Sequence, residues 1–194
     1  MLNESANDLM SVINKLNSDE LNAQISHIVA IVANSFSKGN KILLAGNGGS
    51  AAEAQHMAAE YTATLSCRNF RNGLPALALT TDTSFLTAWS NDFGIKDLFA
   101  RQVDTLGCDG DVLFAYSTSG NSENILRAVE IAKSKQIYVV GLTGGNGGKL
   151  KGITKTCLVV PSENTARIQE CHTLIGHTIC AQVEKALGFE FAND

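Results

Sequence analysis

Proline is nearly absent from this chain, with 2 in 194 residues, and aromatic residues make up only 6%. Collagen-like, proline-rich and low-complexity chains are excluded by that balance. There is no excess of positive charge either: 15 Lys plus Arg stand against 19 Asp plus Glu, for a net charge of −4. A mildly acidic chain is a poor candidate for binding nucleic acid or a membrane surface. No apolar run reaches the roughly 18 residues of a membrane-spanning helix. The first residues show no charged-then-apolar leader, so a cytoplasmic location is expected. The five cysteines, Cys67, Cys108, Cys157, Cys171 and Cys180, form no CxxC pair and no zinc-finger spacing. They read as idle or buried thiols.

What the chain has instead is length for one domain over residues 1–194, 44% hydrophobic residues and 17 glycines. A domain of this size buries roughly 70% of its unfolded surface and needs no disulfide or metal to hold a core. Residues 1–38 read as two helices. Leu21, Ile25, Ile28, Val32 and Phe36 recur at helical spacing, Ser18 supplies an N-cap ahead of Asp19 and Glu20, and Gly39 supplies a stop. Two helices before the first strand exceed what a sheet needs, so the first is expected in oligomer contacts.

From Lys41 onward the pattern changes to short apolar runs at 42–45, 74–80, 111–116, 137–143 and 157–160. Unalternated runs of this length suit strands buried on both faces of a parallel sheet. Stretches of helical spacing separate them, and a long helix over about 165–187 closes the chain. The expected architecture is α/β: a three-layer sandwich around a five-stranded parallel sheet, flavodoxin-like or Rossmann-like, with extra N-terminal helices.

The glycines collect within 46–49, at 120 and within 144–148. These positions follow the first, third and fourth strands, at the carboxyl edge where such sheets bind ligands. Gly46 to Ala51 satisfies the GxGxxA dinucleotide pattern. That pattern also needs an acid about 20 residues on, where this chain has Arg68, Asn69 and Arg71, so a dinucleotide is disfavoured. Ser117-Thr118-Ser119-Gly120-Asn121-Ser122 packs four hydroxyls at a strand-to-helix junction, which suits a monophosphate held by small donors and backbone N–H groups. The absent GKS or GKT ending excludes a nucleotide-binding Walker loop. His56 and Glu60 share a helix face. His172 and His177, with Gln169 and Glu170, are expected at or near the start of the last helix.

Taken in order, Gly46-Asn47-Gly48-Gly49-Ser50, His56 and Glu60, Asn91-Asp92-Phe93-Gly94, the Ser117 to Ser122 loop, Arg167-Ile168-Gln169-Glu170 and His177 resemble the bacterial phosphoheptose isomerases, of the wider sugar isomerase (SIS) domain class. The resemblance implies a homotetramer that converts sedoheptulose 7-phosphate to D-glycero-D-manno-heptose 7-phosphate. That reaction opens the route to activated heptose for lipopolysaccharide, capsule or other surface glycans. It also implies that Ser50, Ser117, Thr118, Ser119 and Ser122 hold phosphate or sugar hydroxyls, and that Asn47, Gly48, Gly49, Asn91, Asp92 and Gln169 line the sugar. Glu60 and His177 match the acid and base pair. Some members carry zinc at the positions of His56, Glu60, Gln169 and His177.

Ketose-to-aldose isomerisation needs one group to move a carbon-bound proton through an enediol and another to serve the oxygens. Glu60 is the expected base and His177 the expected acid. A carboxylate bound to zinc is a poorer base than a free one, so the two roles of Glu60 compete. Gln169 and His177 stand about 12 Å apart along a regular helix. They share one metal only if Gln169 precedes that helix or if neighbouring subunits contribute. The family's Gly-Arg pair after the acid is replaced here by Thr62, Ala63 and Thr64, which leaves Arg68 and Arg71 as the charges available for the substrate. Non-catalytic relatives that bind the replication initiator resemble the isomerase in the loops but lack the Glu60 and His177 pair. A sugar-phosphate sensor would bring a basic DNA-binding segment, and none precedes Lys41.

Overall fold

A computed structural model describes residues 1–67 and 70–189. Helices α1 (Leu2–Leu16) and α2 (Asp19–Ser37) lead into β1 (Ile42–Ala45), α3 (Gly49–Thr62) and β2 (Ala76–Ala78). Next come α4 (Thr83–Phe93), α5 (Leu98–Leu106), β3 (Val112–Tyr116), α6 (Glu123–Ser134) and β4 (Tyr138–Gly144). The chain continues through α7 (Gly148–Ile153), β5 (Thr156–Val160) and α8 (Thr165–Ala186). All five strands are parallel and lie in the order β2-β1-β3-β4-β5. This is the flavodoxin-like order, in which the direction of winding reverses between β1 and β3.

Both faces of the sheet are covered, which explains the continuous apolar runs. Leu44, Phe114 and Leu142 face a layer built from α1, α2, α3 and α8, where Ile28, Val32, Met57 and Ile175 are buried. Leu43, Leu113 and Val139 face the opposite layer, with Phe99, Val103, Ile125 and Val129 of α5 and α6. Each such side chain contributes about 1.5–3 kcal/mol by leaving water. The edge strand β2 pairs over three residues only, Ala76 to Ala78 against β1, and is shorter than its apolar run suggested.

The helix signals hold in detail. Ser18 Oγ accepts from the Leu21 N–H at 3.2 Å, and the Ile25, Ile28, Val32 and Phe36 stripe is buried. Helix α1 packs on its own chain through Val12 and Leu16. Arg167 of α8 donates to the Ser5 carbonyl at 3.1 Å and lies 3.7 Å from the Asp8 carboxylate. Met1, Leu2 and Met10 remain exposed. The expected position of the late histidines is corrected: α8 begins at Thr165, so His172 and His177 lie well inside it.

No helix of the described residues is long and apolar enough to cross a membrane.

Candidate active site

The loops that leave the carboxyl ends of β1, β3 and β4 interlock. Asn47, after β1, exchanges two amide hydrogen bonds with Asn124 in the first turn of α6, at 2.9 and 2.8 Å. Leu150 N–H donates to the Gly120 carbonyl at 2.9 Å, and Lys149 N–H donates to Asn121 Oδ1 at 3.1 Å. Gly120 sits at φ +63, and a β-carbon there would stand 2.1 Å from the Gly147 carbonyl oxygen, so the two loops touch backbone to backbone.

The serine-rich loop places Ser117 Oγ 2.9 Å from Ser122 Oγ. Ser117 Oγ also receives the Ser122 N–H at 3.4 Å, and Ser119 Oγ receives the Asn121 N–H at 3.2 Å. Ser122 is the N-cap of α6, but its side chain makes no cap bond. The Ile125 and Leu126 N–H groups bond to the Ser122 carbonyl, no side chain caps the helix start, and a helix start is a setting that favours an anion. Thr118 is half-buried and Ser119 exposed, while Ser50 is buried at the start of α3.

The reactive cluster comes from two helices. On α3, Ala54, Met57, Ala58 and Tyr61 are buried, which turns His56 and Glu60 towards α8. His56 Nε2 lies 3.7 Å from Glu60 Oε1 and 2.8 Å from His177 Nε2. One ligand atom from each of His56, Glu60 and His177 falls within 4.8 Å of the others. Gly176 permits this approach, because a β-carbon there would run to 2.4 Å from Met57 Sδ.

The other expected site residues are distributed as follows. Gln169 lies against the backbone of Gly49, where a β-carbon would come within 2.5 Å of its side-chain nitrogen. That seats it beside Gly48 and Gly49. Both Gln169 and His177 belong to regular α8, which removes one of the two routes by which they could share a metal and leaves only the neighbouring-subunit route. Asn91 and Asp92 are exposed at the end of α4 and bond to each other at 2.8 Å. Arg68 lies outside the described residues. Arg71 is buried and bonds to Glu184 and to the carbonyls of Glu60, Tyr61 and Asn72, so four of its five N–H donors are spent within the fold.

Beneath the cluster lies a buried polar layer that the motifs did not reveal. Thr173 donates to Glu53 Oε2 at 2.6 Å, while Glu53 Oε1 has no partner among the described residues. His172 Nε2 lies 3.2 Å from the Thr143 carbonyl, and Nδ1 has no partner among the described residues. Burial lowers the His172 pKa to about 4, outweighing the hydrogen bond to Thr143, so this histidine is a neutral structural group. Glu53 did leave a signal: it stands three residues from both Ser50 and His56, on a stretch otherwise rich in alanine.

Strand order, glycine-rich strand ends and a hydroxyl-lined loop at a helix start define a phosphosugar-binding α/β domain. The sugar isomerase (SIS) domain family matches residues 3–144, and the chain is a member of it. Among curated relatives, it is 52% identical to the phosphoheptose isomerase of Aneurinibacillus thermoaerophilus over 169 residues, 87% of this chain and 84% of the relative. It is 53% identical to phosphoheptose isomerase 2 of Campylobacter jejuni over 156 residues, 80% of this chain and 77% of the relative. The solved phosphoheptose isomerase of Neisseria gonorrhoeae superposes with a TM-score of 0.88 at 39% identity, covering 95% of this chain and 97% of that one. Within the SIS class, the chain belongs to the phosphoheptose isomerase family.

Proposed function

We propose that this protein is an isomerase that converts sedoheptulose 7-phosphate to D-glycero-D-manno-heptose 7-phosphate through an enediol. The observation that carries this reading is the convergence of His56, Glu60 and His177 within 4.8 Å, on a fold whose neighbouring loop offers hydroxyls and a helix start to a phosphate. Ser117, Thr118, Ser119 and Ser122 hold the phosphate. Ser50, Asn47, Gly48, Gly49 and Gln169 line the sugar. Glu60, half-buried beside two imidazoles, takes the carbon-bound proton from one of the two adjacent carbons and returns it to the other. His177 gives and takes the proton on oxygen, so that no full charge builds up on the enediol.

His56, Glu60 and His177 offer two imidazole nitrogens and one carboxylate oxygen, a donor set that suits zinc with an open coordination position. When bound, the ion supplies Lewis-acid polarisation of the substrate oxygens. Gln169 joins that set only from a neighbouring subunit. We assign the protein to a cytoplasmic homotetramer in which exposed Asn91 and Asp92 meet a neighbour's site, and its product to the synthesis of activated heptose for lipopolysaccharide or capsule.

The test is Glu60→Gln. It is expected to lower kcat by about a thousandfold while substrate binding, followed by calorimetry, persists; near-native turnover would overturn the assignment. Metal content is measured on the unaltered protein, purified without chelator, and protein free of zinc at full activity would remove the metal.

A further inference from the structure

Among the described residues, the segment between α3 and β2 carries one buried cation, Arg71, whose side chain is 2% exposed, and it pairs with Glu184, whose side chain is 1% exposed. Arg71 Nε donates to Glu184 Oε1 at 2.6 Å. Its remaining bonds go to backbone: Nη1 to the Tyr61 and Asn72 carbonyls at 2.9 and 3.0 Å, and Nη2 to the Glu60 carbonyl at 2.9 Å. A helix leaves its last carbonyls without internal partners, and its C-terminal end favours a positive charge. The guanidinium meets both needs at the end of α3, and the carbonyls it holds include that of Glu60 itself.

Glu184 sits on α8, seven residues after His177. Seven residues are two helical turns, so the two side chains project from the same side of α8, about 10 Å apart. The rigid, planar fork of Arg71 therefore spans from the backbone of Glu60 on one helix to the helix that carries His177. The Leu65 N–H reaches the same Glu184 oxygen at 3.4 Å, and Leu74 N–H bonds to the Tyr61 carbonyl at 2.9 Å, so the intervening loop is tied to the same point.

We infer that Arg71 and Glu184 are positioning residues for the isomerisation, a brace that sets the separation of Glu60 from His177. The inference rests on the reading of Glu60 and His177 as the reacting pair. An arginine in this segment is expected from charge alone to reach for substrate phosphate; the geometry turns it to the opposite task. A lysine cannot replace it fully, because one ammonium cannot reach a carboxylate and three carbonyls in a single plane.

Three variants and Glu60→Gln test this together. Arg71→Met is expected to lower kcat about ten- to a hundredfold with KM changed by less than about threefold, and Arg71→Lys is expected to lose less. Arg71→Met combined with Glu184→Met removes both charges, so no bare charge stays buried and the fold is maintained even where the single variant fails. This double variant is expected to regain much of the melting temperature lost by Arg71→Met without recovering kcat. If its kcat returns along with its melting temperature, the pair is only structural and the inference fails. If the loss appears in KM with kcat intact, Arg71 touches substrate and the inference also fails. If Glu60→Gln keeps native turnover, the reading of the reacting pair fails and takes the brace with it. If Glu60→Gln is inactive while the folded Arg71 variants keep native kcat, the brace alone is refuted.

Discussion

Replacing His172 with leucine should flatten the acid side of the stability profile. His172 is 1% exposed. Its Nε2 faces a carbonyl, which can only accept, so the ring proton sits on Nε2, and a second proton would have to go on Nδ1, which has no partner among the described residues. The folded pKa is about 4 against about 6.5 in an unfolded chain. Between those values the unfolded state binds a proton that the folded state refuses, so stability is complete above about pH 6.5 and falls as the pH drops towards 4. From the two pKa values, the loss is about 2 kcal/mol at pH 5 and about 3 kcal/mol at pH 4. Urea denaturation at pH 7, 6 and 5 measures it. With a slope near 2 kcal/mol per molar, the native midpoint should fall by about 1 M between pH 7 and pH 5. His172→Leu should be weaker at pH 7, because the Thr143 carbonyl loses its donor, yet it should lose much less on acidification. An equal midpoint shift in both proteins would refute the argument.

Three further outcomes follow from the geometry. Gly120→Ala should destabilise by about 2 kcal/mol and raise KM, since it adds a β-carbon at φ +63 against the Gly147 carbonyl; thermal melting and steady-state kinetics check both parts. Ser117→Ala removes the partner of the Ser122 hydroxyl and should raise KM about tenfold at nearly constant kcat. Asp111 is buried and accepts from the Lys41 N–H, Lys41 Nζ and the Cys108 N–H, so Asp111→Ala should cost about 3 kcal/mol in urea denaturation at pH 7. Burial raises the Asp111 pKa, but the Lys41 side chain and the two backbone donors outweigh it and hold it below the usual carboxylate value. The advantage of the native protein over the variant should therefore disappear as acid brings the pH down through that lowered pKa.

The sheet was legible because strands covered on both faces must be apolar throughout, and 42–45 and 112–116 are. Strand β2 was overread at its ends: the Pro75 carbonyl and the Leu79 N–H still bond to Ile42 and Leu44 of β1, but an edge strand has one neighbour and the regular ladder closes at Ala76 to Ala78. The phosphate loop and the His56 and Glu60 pair were local patterns and could be found as such. Arg71 was not. Its carboxylate partner lies 113 residues away, and nothing in a local window tells a buried arginine from a substrate-facing one. The crowding of Gln169 onto Gly49 and of Gly176 onto Met57 is likewise a property of how α8 crosses α3, which neither helix encodes alone.

The position of α8 also sets an order of events during synthesis. His56 leaves the ribosome 121 residues ahead of His177. Until the last helix docks, the core layer that holds Met57 of α3 and Leu142 of β4 lacks Ile175, Ile179 and Val183. A chain stopped short of α8 lacks His177 and leaves an apolar face uncovered, so it is exposed to aggregation. Docking α8, closing the core and bringing His177 to His56 are therefore a single step.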